Sequence, residues 1–297
     1  MNKKTVNIGE ETLAYLDTGK GEPIVFIHGN MSSSVHFEPL INRLSDKYRC
    51  VAPDLRGFGD STYNGRFDSL DELADDIAAF MEKLKIKSAF VVGWSTGGGV
   101  ALKLAAEHGD KVKALFVIEG AGHKGYPIYV KNGKYKSIVG KAYANKDDMA
   151  LDPVQVAPAL TMTESHDAVS MSALWDATIY SVNKPSREDN DKWMEETLKQ
   201  RNLIDVDWAL ANLNMSDEWS AYRNGDGSIK KITCPVAFTL AQNDNVVPDY
   251  MVMDNFNAFD GKAKLLPYER CGHSPMVDCL DKLAADVVEF FSADVTQ

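Results

Sequence analysis

Cysteine, long apolar runs and basic residues are all scarce in this 297-residue chain. Its cysteines, Cys50, Cys234, Cys271 and Cys279, form no C-x-x-C pair and do not cluster with histidines at zinc-finger spacing, so neither a metal site nor a disulfide framework is indicated. Free buried thiols are the expectation. No stretch approaches the roughly 18 apolar residues of a membrane span. The opening residues Met1 to Ile8 lack the continuous apolar segment of a secretion signal, so the chain reads as a soluble cytoplasmic protein without a membrane partner. Lysine and arginine total 32 against 43 aspartates and glutamates, a net charge of −11 that argues against nucleic acid or an anionic bilayer as partner. Internal repeats and low-complexity tracts are also lacking.

What is present is an alternation. Residues 5–8 and 12–17 read as an N-terminal hairpin, and Ile24-Val25-Phe26-Ile27 as a short apolar strand. A helix over about 35–44 leads to a strand at 49–52. Between 70 and 84 the residues Leu70, Leu73, Ile77, Met81 and Leu84 recur at spacings of three and four, which predicts an amphipathic helix. Strands at 89–92 and 112–118 flank a helix over 100–106. The pattern stops over residues 120–230, which hold four of the five tryptophans and no comparable apolar strand. It resumes with strands at 233–240 and 263–266 and a helix at 280–291. Continuous apolar strands separated by helices predict a largely parallel α/β sheet covered on both faces. The expected organisation is a core of residues 1–119 and 231–297, with residues 120–230 a mainly helical cap inserted over the sheet.

The most specific local signal is Gly93-Trp94-Ser95-Thr96-Gly97, placed between an apolar strand and a helix. A G-x-S-x-G turn needs small residues where strand and helix backbones nearly touch, and it pushes the serine hydroxyl outward. Ser95 is thereby a candidate nucleophile, and the Thr96 amide a donor to a developing oxyanion. A serine nucleophile needs a base, and the base an orienting acid. His273 lies in a turn between the last strand and last helix, and Asp244 follows the strand ending at Leu240. The order Ser95, Asp244, His273 sets each residue just past a predicted strand end, where active sites of open α/β sheets assemble.

With these residues, His28-Gly29, the stretch Asp54-Leu55-Arg56-Gly57-Phe58-Gly59-Asp60-Ser61 and the Val247-Pro248 pair after Asp244, the chain resembles the α/β-hydrolase superfamily over nearly its whole length outside residues 120–230. That resemblance implies an α/β-hydrolase fold, a triad of Ser95, Asp244 and His273, and a second oxyanion donor in the backbone amide of Asn30, with Met31 as the fallback. Glu119, at the end of the strand 112–118, is the alternative acid, since some members carry it there. Ala241 departs from the glycine often found three residues before the acid. Arg56, beside two carboxylates, is expected in an internal ion pair and not as a substrate ligand, and His28 as a residue that fixes its loop. The Gly-Trp-Ser-Thr-Gly-Gly-Gly run is also similar to intracellular polyhydroxyalkanoate depolymerases. A serine at the elbow is unlike the aspartate nucleophile of haloalkane dehalogenases and epoxide hydrolases.

The chemistry implied is attack of Ser95 on a carbonyl carbon with His273 as base, an acyl-enzyme, and release by water. No metal or organic cofactor is required. A small ester or lactone is the expected substrate. C–C, thioester or amide hydrolysis, perhydrolysis, hydroxyalkanoate depolymerisation and a low-turnover receptor are the alternatives on the same triad. Trp175, Tyr180 and Met171 are the candidates to line the pocket.

Overall fold

A computed structural model describes residues 1–294. Ten strands are β1 (Lys4–Asn7), β2 (Thr12–Thr18), β3 (Pro23–Ile27), β4 (Arg49–Pro53), β5 (Ala89–Trp94), β6 (Val112–Ile118), β7 (Tyr129–Lys131), β8 (Ser137–Ala142), β9 (Val236–Ala241) and β10 (Lys264–Tyr268). Eight form one sheet in the order β1-β2-β4-β3-β5-β6-β9-β10. The pairs from β4 through β10 run parallel, while β2 is antiparallel to both β1 and β4. The central strands β3, β5 and β6 are buried along almost their whole length, as parallel strands covered by crossover helices must be. The fold class is therefore the α/β-hydrolase arrangement that the alternation and the motifs indicated.

Each face of the sheet carries its own core. Helices Leu70–Lys83 and Thr96–Glu107 cover one, and helices Glu38–Leu44 and Leu280–Asp294 the other. Helix Leu70–Lys83 shows why it starts where it does. Ser69 and Glu72 cap it reciprocally, and Leu73, Ile77, Phe80 and Met81 present a fully buried stripe to the sheet. Strand β9 begins at Val236 and not at Thr233: Pro235 has no N–H to give the ladder and joins it only through its carbonyl, which accepts from the Leu115 amide at 2.9 Å.

Between β6 and β9 the chain leaves the sheet. It forms helices Lys146–Ala150, Ala157–Glu164, Ala168–Thr178, Arg187–Thr197 and Leu203–Asn212, preceded by the antiparallel pair β7–β8. That hairpin was not expected from the sequence. Val139, 82% exposed, and Tyr135, 68% exposed, lie in it outside any core, so no apolar run betrays the strand. Among the described residues no helix is long and apolar enough to cross a membrane. Cys50, Cys271 and Cys279 are thiols, and the Cys279 thiol donates to Cys271 Sγ at 2.7 Å.

Candidate active site

Strand β5 delivers Ser95 at its C-terminal end in a conformation that few residues accept, φ 56° and ψ −121°. Such a backbone costs on the order of 1–3 kcal/mol and persists only where its surroundings hold it. Here the Ser95 amide donates to Ile118 O at 3.0 Å, and Ser95 O accepts from Ala121 and Gly98, tying the turn to the end of β6 and to its own helix. The glycines supply the clearance. A Cβ on Gly97 would lie 2.0 Å from Ile27 O, one on Gly93 would lie 2.5 Å from Gly97 O, and one on Gly29 would meet Ser95 Cβ at 2.9 Å.

Asp244 and His273 meet across the ends of β9 and β10. His273 Nδ1 donates to Asp244 Oδ2 at 2.7 Å, and both side chains are almost wholly buried. The other carboxylate oxygen, Asp244 Oδ1, accepts from the amides of Val246 at 2.6 Å and Val247 at 2.9 Å. The carboxylate is thus aimed by its own backbone turn, which explains the Asp-x-x-Val spacing. The backbone oxygen of His273 accepts from Trp94 Nε1 at 2.7 Å, linking the histidine loop to the residue before Ser95. Ser95 and His273 line one cavity of about 150 Å³. No hydrogen bond joins their side chains among the described residues, and catalytic contacts of this kind commonly tighten only around substrate.

Glu119 is placed differently. It directly follows β6 with φ 40°, is buried, and takes its hydrogen bond from Thr239 Oγ1 at 2.6 Å, while its Oε2 has no partner. Burial, reinforced by the nearby Asp244 charge, pushes its carboxyl up to about 8. A carboxyl that keeps its proton cannot hold an imidazolium, and the geometry pairs His273 with Asp244.

The Thr96 amide belongs to the first turn of its helix, where N–H groups have no intrahelical acceptor. On the facing loop the Met31 amide is already engaged, donating to Asn30 Oδ1 at 3.0 Å and Gln200 Oε1 at 2.9 Å. Asn30, Met31 and Thr96 all line the cavity, but only the Met31 N–H is spent on side chains. His28 fixes this loop by accepting from the Leu55 amide at 3.0 Å, and burial lowers its pKa to about 4, which keeps it neutral. Arg56 is in an ion pair, but with Asp76 through two bonds of 2.7 Å, not with its neighbours in sequence. Asp54 is occupied by Lys3 and by the amides of Ser34 and Asp60.

The opposite wall of the cavity comes from residues 120–230 and corrects one expectation. Trp175, Tyr180 and Met171 do not line it. All three are buried in the core that covers one sheet face, where Trp175 and Trp193 stack on His36 with ring centroids 5.3 and 5.4 Å away. Large rings in this segment gain more by packing together than by facing a cavity. The lining residues are instead Tyr126, Ile128, Gln155, Ile179, Asp207 and Leu210. Trp94 does both, packing in the sheet and reaching the cavity wall. One signal for Asp207 was available. It follows Leu203 by four residues and precedes Leu210 by three, which puts a carboxyl on the apolar stripe of its helix.

Comparison with known proteins supports the fold. A 2-(acetamidomethylene)succinate hydrolase of Mesorhizobium japonicum is 36% identical over 116 residues, 39% of this chain and 42% of that protein, so the chain spans less than half of the length of this curated relative. An esterase from Thermogutta terrifontis superposes with a TM-score of 0.75 at 18% identity, covering 99% of each chain. The enol-lactonase of Burkholderia xenovorans superposes with a TM-score of 0.75 at 16% identity, covering 97% of this chain and 100% of its own. At such identities the superpositions speak for the fold. Residues 22–278 match the α/β hydrolase fold family, and the chain belongs to it.

Proposed function

We propose that the protein is a serine hydrolase cleaving small carboxylic esters or lactones through an acyl-enzyme on Ser95. The observation that carries this reading is the buried His273–Asp244 hydrogen bond of 2.7 Å at the rim of the cavity that Ser95 enters from a strained turn. His273, with its Nδ1–H held by Asp244, would expose Nε2 as the base that takes the Ser95 proton during attack and returns it to the leaving group. The amides of Thr96 and Asn30 would receive the oxyanion, each worth about 10²–10³ in rate. Water activated by the same histidine would release the acid. A cavity of about 150 Å³ suits a compact acyl group, and a void of comparable size in another protein takes up benzene. In this reading residues 120–230 act as a cap over the site, and the partners are the small substrate and water. The esterase and lactonase among the structural neighbours share this fold.

The test is hydrolysis of short p-nitrophenyl acyl esters and lactones. Turnover with a pre-steady-state burst that vanishes in Ser95→Ala supports the proposal, and undiminished hydrolysis in that variant overturns it.

A further inference from the structure

Two aspartates on helix Leu203–Asn212 live in opposite circumstances. Asp205 is surrounded by cations and donors. It takes Arg66 at 2.6 Å, Lys146 at 2.8 Å and the Tyr63 hydroxyl, and although burial opposes it, these partners hold its carboxyl below the usual range. Asp207, two residues on, is also buried and has none of this. Among the described residues its carboxyl takes part in one hydrogen bond, from Asn30 Nδ2 to Oδ1 at 3.0 Å, and in no ion pair. Its other oxygen, Oδ2, receives nothing. Yet Asp207 lines the cavity that holds Ser95 and His273, in a wall otherwise made largely by Ile128, Ile179, Leu210 and Val246.

An ionised carboxylate has about four acceptor positions, and leaving them unfilled away from water is costly. Burial accordingly pushes the Asp207 carboxyl up to about 7, against the opposing pull of Asn30. Such a group is poorly explained as a fold-stabilising contact, because an apolar residue on the same helical stripe would pack there at lower cost. It is well explained as an acceptor waiting for a donor that arrives with the ligand.

We infer that Asp207 is a specificity residue that accepts a hydrogen bond from a hydroxyl or amino group carried by the substrate, so that the preferred esters are donor-bearing and not simple alkanoates. This rests on the ester reading above for its chemistry, but not for its binding geometry. A site built around an acceptor discriminates strongly against a ligand lacking the donor, since the buried oxygen is then left unpaired.

The decisive experiment uses Ser95→Ala as an inert binder, alone and combined with Asp207→Asn. Methyl 3-hydroxypentanoate, methyl 3-aminopentanoate and 3-hydroxypropyl pentanoate, against methyl and propyl pentanoate, place the donor on either half of the ester and separate hydroxyl from amine. Asp207→Asn retains an oxygen for Asn30 Nδ2 and turns the second acceptor into a donor. The expected result is that at least one donor-bearing ester binds Ser95→Ala on the order of 10- to 100-fold more tightly than its plain counterpart, and that Asp207→Asn erases the difference. In the Ser95-containing enzyme the same loss should fall on KM more than on kcat. Equal affinities for donor-bearing and plain esters overturn the inference. So does an Asp207→Asn loss that is the same for both, which would mean Asp207 acts only by holding the Asn30 loop. Failure of the ester reading would show separately, as absence of turnover with the donor preference in binding intact.

Discussion

The two walls of the cavity are built by opposite means. On the sheet side, position is set by backbone. Ser95 is held by main-chain bonds to Ile118, Ala121 and Gly98, and Asp244 is aimed by the amides of Val246 and Val247. The glycines there leave no room for so much as a methyl group. On the side of residues 120–230, position is set by side chains. Gln200 reaches Asn30 at 2.7 Å, Thr197 Oγ1 reaches Met31 O at 2.7 Å, and Lys3 gathers Asp54 from the core and Glu196 from the inserted helices at 2.7 and 2.5 Å. Covalent chemistry tolerates errors of only a fraction of an ångström, and main-chain bonds within a sheet provide that rigidity. Selectivity needs a wall that can be rewritten one side chain at a time, and side-chain contacts allow it.

The contrast can be broken most forcefully at the sheet wall. Asp244→Asn keeps the shape but denies His273 its carboxylate, and kcat on a short ester should fall about 10⁴-fold, whereas Glu119→Gln should change it less than about tenfold. Equal losses from the two variants would return Glu119 to contention as the acid. Lys3→Ala probes the joint between the walls. It leaves the buried carboxylates of Asp54 and Glu196 without their shared cation, and denaturant unfolding should show a loss of about 3–5 kcal/mol. A change below about 1 kcal/mol would mean the joint is held elsewhere.

Gly97→Ala asks whether the elbow really has no slack. A Cβ 2.0 Å from Ile27 O and 2.5 Å from His28 O must move the strand and the Asn30 loop together, so we expect about 1–3 kcal/mol of destabilisation accompanied by a drop in kcat. Unchanged stability and rate would show the turn to be more compliant than its packing indicates.

The pH dependence sharpens the comparison from the buried side. Glu119 has a folded pKa of about 8 against an ordinary 4.5, so the native state keeps a proton that the unfolded chain loses in between. Its stability contribution is therefore complete below about 4.5 and declines as pH rises toward about 8. Asp207 works in the same direction up to about 7. Glu119→Gln should melt progressively higher relative to the parent as pH is raised through that window, and a constant difference in melting temperature would contradict the placement. The smallest effect is expected at the exposed hairpin, where Val139→Thr should stay within about 0.5 kcal/mol and leave turnover unaltered.

Legibility in the sequence follows the same divide. Strand β6 occupies the residues its apolar run marked, and helix Leu70–Lys83 the stripe its periodicity marked, because each is specified by local pattern against one flat, dry neighbour. The elbow was readable since its glycines answer a steric demand within a few residues of Ser95. Arg56 is in the ion pair expected of it, but its partner, Asp76, is brought by a helix folding alongside, while Lys3 takes Asp54. Trp175, Tyr180 and Met171 were misjudged because composition says that a ring will be buried but not on which side of a helix its neighbours lie.

The amino-acid sequence by itself determined the alternating strands and helices of the sheet, the turn that presents Ser95, and the candidate residues Ser95, Asp244 and His273 just past the ends of β5, β9 and β10, since these depend on periodicity and on clearances between residues close in the chain. The pairing of His273 with Asp244 over Glu119, the occupation of the Met31 amide by Gln200, and the exposure of Asp207 to the cavity in place of Trp175, Tyr180 and Met171 were decided only by tertiary structure. Each of these joins residues far apart in the chain, and no local pattern encodes which of two buried carboxyls will find a donor.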